Sequence, residues 1–291
     1  MFRIDCHFHP NFNFINKSKI KSHAKKIWSK FKQYKLDIVI CTEHNFKKPK
    51  ETYFQLMKFK PKGHKTLLLP GVEATTKEGI DILLFSDSDS FYDDNQDLLI
   101  PKLYSLDKFI NRIKNQKNLL SIIAHPNIIF KQGLLSNQGS KKYFQKFKDF
   151  DFVEKHNACL NELVEGLKLL KNTKFYKKIQ SVKNLPDKYT NNHNFLVGSD
   201  AHHIQDIGTY LEFPRVNKKI NFSNLKSLVS SIEQRQVIFK ESKNKMKTFS
   251  KKFFTSMAEA IQEKFYHLNN KNNLTQTKWQ TEFMLKKNKS M

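Results

Sequence analysis

The sequence predicts an α/β fold in which about seven strands form a closed or distorted barrel, and three observations predict it. Short apolar runs with β-branched character recur through the first two-thirds of the chain. Lysine-rich amphipathic stretches separate them, and strands alternating with helices imply parallel pairing through right-handed crossovers. The runs are apolar almost without a break, as strands are when both faces of their sheet are covered.

The strand-like runs fall at 2–6, 37–42, 67–72, 81–85, 119–124, 152–154 and 195–198. Between them, 20–34, 106–117, 141–148 and 160–170 have helical periodicity. No G-x-G-x-x-G or Walker loop follows a strand, which argues against a nucleotide-cofactor fold. The first run begins almost at Met1 with no apolar leader, so no signal peptide is expected. No stretch approaches the roughly 20 apolar residues that span a bilayer, so no membrane association is expected. After about residue 240 the character changes. Lysines crowd 240–252, and Met257, Ile261, Phe265 and Leu268 line one face of a candidate helix. The expected division is a barrel over 1–240 and a basic, partly helical C-terminal extension over 241–291.

Composition bounds the function. Cys6, Cys41 and Cys159 show no C-x-x-C spacing, and Cys6 and Cys41 sit in apolar runs as buried free thiols would. A reduced, cytoplasmic setting follows. The formal charge is +25, from 52 basic and 27 acidic residues. Among the basic residues only Arg3, Arg112, Arg215 and Arg235 are arginine, the usual choice for bidentate phosphate contacts. Lysine- and asparagine-rich composition is also what A+T-rich codons give. A field this positive nonetheless attracts polyanions, so a polyanionic substrate and a purely compositional origin both stay open.

The histidines carry the functional signal. His7 and His9 follow the first strand in Asp5-Cys6-His7-Phe8-His9-Pro10, and His44 follows the second in Thr42-Glu43-His44-Asn45. Glu73 follows the third, His125 the fifth, and Asp200 and His202 the last in Gly198-Ser199-Asp200-Ala201-His202. Residues two apart in extended chain point the same way, so His7 with His9 can face one ion. Strand ends of a parallel α/β barrel converge on one mouth. Imidazole and carboxylate donors together suit Zn, Mn or Fe and not a thiolate-bound structural zinc.

These runs also resemble, in order, motifs of the polymerase and histidinol phosphatase (PHP) superfamily. Residues 5–9, 42–45, 71–73, 124–126 and 198–202 are similar to its D-x-H-x-H, T-[DE]-H-N, G-x-E, A-H-P and G-S-D-A-H patterns. The resemblance spans 2–210. It implies a distorted (β/α)7 TIM-like barrel, a centre of two or three divalent ions, and hydrolysis of phosphate esters. The family's substrates include histidinol phosphate, nucleotides and nucleic-acid ends. It implies that His7, His9, Glu73 and Asp200 hold one metal. Glu73 would bridge to a second metal held by His125 and Asp81, where relatives often have histidine. A third would lie between His44 and His202. The chain departs from the pattern after His9: Phe14, Ile15 and Asn16 stand where many relatives carry a ligand for the third metal, which is therefore expected to be weak or absent.

The chemistry expected of such a cluster is metal-assisted hydrolysis, with Glu73 and Asp200 as catalytic residues that tune the metals and relay a proton. Lys47 and Lys48 read either as point charges for phosphate or as ordinary surface lysines. The primary expectation is a phosphodiesterase or nuclease, with a small-molecule phosphomonoesterase of the histidinol-phosphatase type as the alternative. A third reading is a metal-binding scaffold with reduced catalysis that docks a protein partner through its extension.

Overall fold

The computed structural model describes residues 1–114, 116, 118–126, 145–157, 171–173, 194–214, 222, 225–226, 229, 236–238 and 261–262. The helix expected at 160–170, much of that at 141–148, and nearly all of the basic extension lie outside the described residues.

The chain enters strand β1 (Phe2–Phe8) at once and then helix α1 (Ile20–Gln33). Ala24, Ile27, Trp28 and Phe31 bury one face of α1 while its lysines stay at the surface, the spacing of an amphipathic helix. It ends where Lys35 turns left-handed (φ 53) and the Leu36 N–H donates back to the Phe31 carbonyl at 3.0 Å. Strand β2 (Ile38–Cys41) and helix α2 (Pro49–Lys58) follow, the latter with proline in its first turn, where a missing N–H does no harm. Strands β3 (Leu67–Thr75) and β4 (Asp81–Phe85), helices α3 (Phe91–Asp94) and α4 (Leu106–Ile113), and strand β5 (Leu120–Ile123) come next. Strands β6 (Phe152–Asn157), β7 (Phe195–Gly198), β8 (Tyr210–Phe213) and β9 (Gln236–Ile238) complete the sheet, in the order β7-β6-β5-β4-β3-β2-β1-β8-β9.

The sheet nearly closes on itself. Beyond β7 the chain bridges to β1: the Asp200 N–H donates to the His7 carbonyl at 2.7 Å and the His9 N–H to the Ala201 carbonyl at 3.1 Å. Asp5 Oδ1 also accepts from Ser199 N at 2.9 Å. The α/β barrel expected from the sequence is the architecture found. Strands β8 and β9 were not anticipated; they extend the sheet antiparallel from β1.

Not all pairing is parallel. Strands β1, β2 and β3 run parallel, as do β5, β6 and β7, but β4 is antiparallel to both neighbours. The reason is the link between β3 and β4. Thr76 N donates to Ile80 O at 2.9 Å around Gly79, whose φ is 77°, and so short a connection makes a hairpin, whereas a crossover needs a dozen residues or more.

The alternation of side chains makes two apolar layers. Val39, Cys41, Ile82, Leu84 and Val153 pack with Trp28, Phe31, Leu56 and Phe109 on the helix-covered side. Ile4, Cys6, Ile38, Ile40, Leu83, Phe85 and Phe152 face the other way, into the curled sheet. Cys6 and Cys41 are free and buried, one in each layer. Among the described residues no helix is long and apolar enough to cross a membrane.

Candidate metal centre

Simple alternation would misplace the first two histidines. Ile4 and Cys6 face the enclosed layer, so His7 and His9 should face the helices. A β-bulge intervenes: Ile4 lies opposite Ile38 and Asp5 opposite Val39, but Phe8 lies opposite Cys41. The extra residue re-aims everything after it. Phe8 joins the helix-covered layer, edge-on to Phe31 with ring centroids 5.2 Å apart, and both imidazoles turn inward. A second bulge in β6, between Glu154 and His156, lets Glu154 and Asn157 face the same basin.

Strand β4 contributes by running backwards. Its first residue, Asp81, pairs with Thr75 at the mouth end of β3, so a residue that opens a strand meets others that close theirs. His125 (φ 24) and Asp200 (φ 47) both have left-handed backbone, uncommon for residues with a Cβ. Each is pinned by its own N–H: His125 N donates to Glu154 Oε2 at 2.7 Å, and Asp200 N to His7 O. Strain of this sort persists where the surroundings over-determine it.

The donor atoms converge. His7 Nε2 and His9 Nε2 lie 2.9 Å apart. Asp200 Oδ1 is 3.5 and 3.3 Å from them, and Glu73 Oε2 3.6 and 3.4 Å. An ion with bonds of about 2.1 Å separates neighbouring ligands by about 3.0–3.4 Å. Glu73 Oε1, in turn, lies 3.0 Å from His125 Nε2, which is 3.8 Å from Asp81 Oδ2. Glu73 thus gives one oxygen to each group. His9, His44 and His202 form a further group of close donor atoms, their rings stacked with His9–His44 and His9–His202 centroids 4.5 and 4.3 Å apart. Because His9 belongs to two groups, these are not three independent sites.

The residues fit divalent cations. Glu73 Oε2 is buried and accepts no hydrogen bond, although His44 Nδ1 stands 2.8 Å away and two more ring nitrogens lie within 3.6 Å. A cation among these donors would account for a buried carboxylate oxygen in that state. The field agrees. Burial opposes charge on Glu73 and on Asp200, yet the histidines around them (His44 and His7; His7 and His202) hold both carboxyls well below their ordinary range. Burial also opposes a proton on His7, but Asp200, Glu154 and Glu73 raise it well above the usual imidazole value, and His125 is raised to about 9, chiefly by its bond to Glu73. What favours a proton there favours a metal ion competing for the same nitrogens. His44, by contrast, is pushed down by burial, which keeps its lone pair available.

An outer ring of residues orients these groups. Glu154 faces His7 Nδ1 at 3.1 Å and Asn157 Nδ2 at 3.3 Å, the carboxylate–histidine pairing that fixes a ligand's tautomer. Asn157 also donates to Asp200 Oδ2 at 3.1 Å, leaving Oδ1 toward the histidines. Thr75 Oγ1 donates to Asp81 Oδ1 at 2.6 Å, leaving Oδ2 toward His125. Glu43, 3.5 Å from His9 Nδ1, accepts from Asn11 N at 2.8 Å. Burial would raise its pKa, but Lys47, His9 and His44 bring it to about 2.

All eight sequence-predicted ligands, His7, His9, His44, Glu73, Asp81, His125, Asp200 and His202, lie in these groups. Asp81 is buried, unlike a solvated strand-end charge. Lys47 is not a surface lysine: it is buried, donates to Asn11 Oδ1 at 3.0 Å and lies 3.8 Å from Glu43. Lys48 is exposed. Asn16 does not reach the centre; its Oδ1 caps the next turn, accepting from Ser18 N at 3.1 Å. His64 lies apart from the centre, packing edge-on to Trp28 and bonding its carbonyl. His23 lies edge-on to Phe12, while His193 and His267 fall outside the described residues. Glu43, Glu154 and Asn157 went unpredicted as site residues. Glu43 lay inside the quoted Thr42–Asn45 run and Glu154 at the end of a predicted strand, but for Glu154 and Asn157 only the bulge in β6 shows where they point.

No protein-family model matches this sequence, and no curated protein matches it. Among solved structures, PsfC from Pseudomonas syringae PB-5123 superposes with a TM-score of 0.53 at 16% identity, over 89% of this chain and 99% of that one. That likeness is one of fold. The lesion-specific endonuclease PfuEndoQ from Pyrococcus furiosus gives 0.45 at 16% identity, over 81% of this chain and 57% of that one. Endonuclease Q in complex with a 27-mer duplex substrate bearing an abasic lesion gives 0.45 at 15%, with the same coverage. The chain thus spans a little over half the length of those endonucleases. Fold and site together define a mixed α/β barrel with a histidine–carboxylate centre at its mouth.

Proposed function

We propose that this chain is a metal-dependent hydrolase of phosphate esters, acting on phosphodiesters of nucleic acid or nucleotides. One observation carries the reading: Glu73 presents one oxygen to the His7–His9–Asp200 group and the other to His125 and Asp81, as a carboxylate shared by two cations does. His7, His9, Asp200 and Glu73 would hold one ion, and Glu73, His125 and Asp81 the other, with Zn, Mn or Fe matching the donors. Two such ions, when bound, lower the pKa of a water and neutralise charge developing on phosphate oxygens. His44 and His202 are less covered than His7 and His9 and flank the open side, where they would meet the phosphate. Glu154 and Asn157 hold His7 and Asp200 in register, and Asp200 would relay the proton that the attacking water loses.

The test is turnover by Zn-, Mn- or Fe-loaded protein on bis(p-nitrophenyl) phosphate, p-nitrophenyl phosphate and labelled single strands. Hydrolysis of the diester and of the strands is expected. Monoester hydrolysis without either would replace this reading with a small-molecule phosphatase, which the depth of the buried His7, Glu73 and His125 favours. Inertness toward all three with every metal would overturn it.

A further inference from the structure

Between Asp5 and Asp37 the chain has no acidic residue. Lys17, Lys19, Lys21, Lys25, Lys26 and Lys32 in this stretch are all exposed, and none pairs with a carboxylate among the described residues. Elsewhere some lysines do pair: Lys50 with Asp93, Lys146 with Asp107 and Lys226 with Asp151. A run of like charge crowded into one short stretch repels itself unless a polyanion or solvent screens it. Composition alone loads the whole chain with lysine; it does not clear the acids from this one face.

The face begins at the mouth of the barrel. The chain leaves β1 at His9, makes the turn Phe12–Phe14 and enters α1 within a few residues, and α1 lies against the turn Ile204–Asp206 that follows His202. Phe14 is 43% exposed there, with Lys47 Nζ 5.0 Å from its ring centre. Lys47 is also 5.7 Å from the ring of Phe46, which stacks on His44 at 5.0 Å. An exposed aromatic beside a cationic track is the pairing by which unpaired bases and their backbone are held together. A bilayer is a poorer match, because the apolar residues of α1 are consumed in the core and leave nothing to insert.

We propose that Phe14 and the lysine face from Lys17 through Lys25 form the surface on which single-stranded nucleic acid is held beside the metal centre; the inference deepens the phosphodiester reading and rests on it for the role of that strand. Phe14 stacks a base at the mouth, and the lysines follow the phosphates down α1.

The test uses the full chain and a labelled phosphorothioate oligothymidylate, which resists cleavage, alongside an abasic oligomer of the same length. Binding is measured across salt concentration. Replacing Lys17, Lys19, Lys21 and Lys25 together by alanine should flatten the log–log salt slope by about 2–3, at roughly 0.7 per contact on a single strand, and weaken binding at least about thirtyfold at low salt. The fourfold arginine variant should retain both. If the alanine variant does not fold, the pair Lys17→Ala and Lys19→Ala, which precedes the helix, should remove about half the change. Phe14→Ala should weaken oligothymidylate binding about tenfold and leave the abasic oligomer unaffected. An unchanged slope in a folded lysine variant overturns the surface, and so does lysine-dependent binding to phosphatidylserine vesicles without oligonucleotide binding. Wild-type protein that hydrolyses the diester but ignores the oligonucleotide overturns this inference alone. Lysine-dependent oligonucleotide binding without diester hydrolysis leaves the surface standing and removes the hydrolase reading.

Discussion

At the scale of single residues, Glu73 does two jobs that no neighbour can duplicate. Glu73→Gln removes the charge shared by both groups, so metal content measured by elemental analysis should fall from two ions per chain to one or none. Diester turnover should drop at least about a hundredfold, as expected when the charge positioning two cations is lost. Glu154 touches no expected ion, yet it fixes His7. Glu154→Ala should weaken metal affinity by about 10- to 100-fold, read by titration against a metal indicator, while Glu154→Gln, which can still accept from Asn157, should lose less. The thiols give a simpler check: burial raises both Cys6 and Cys41, so neither should react with a thiol reagent until the protein is unfolded. The ligands were legible because each stands in a short motif beside an apolar run. Glu154 and Asn157 were not, because a polar side chain in a strand carries no mark of the face it occupies once a bulge breaks the alternation.

At the scale of elements, the bulges decide the site. The sequence pattern located β1 and β6, but a two-residue period read through Cys6 sends His7 to the wrong side, and nothing in 2–9 announces the extra residue. The reversed β4 is more readable, since Gly79 lies in a link too short for a crossover, although the alternation of strands and helices by itself implies parallel pairing. The helix-covered layer was plain: Ala24, Ile27, Trp28 and Phe31 repeat at helical spacing and are buried as that spacing requires. Trp28→Ala should therefore destabilise the protein by about 3–5 kcal/mol, measured by denaturant unfolding, without changing metal stoichiometry in the folded fraction. Gly198 tests the opposite side. A Cβ there would overlap His7 Cβ and Glu154 Oε1, so Gly198→Ala should cost about 1–3 kcal/mol and also loosen metal binding, a combination that a purely structural glycine would not produce.

At the scale of the whole molecule, charge and closure matter most. The formal charge of +25 was legible at once, but not where it lies unopposed; that required knowing which lysines find carboxylates. Closure has a consequence for folding. The seam between β7 and β1 is made at the mouth, by Asp200 N to His7 O and His9 N to Ala201 O, and three of these four residues, His7, His9 and Asp200, are candidate metal ligands. Whatever binds the closed barrel and not the open one stabilises it by mass action, about 4 kcal/mol at a thousand times the dissociation constant. The centre would then act as a clasp. On chelation, hydrogen exchange should quicken first at the amides of His9 and Asp200 while those of β2 and β3 stay protected, and uniform exchange along the sheet would show that the seam holds without metal. A clasp of this kind ties the protein's lifetime to metal supply, because a barrel opened at its seam presents an unpaired strand edge to proteases before its active centre has failed in any other way.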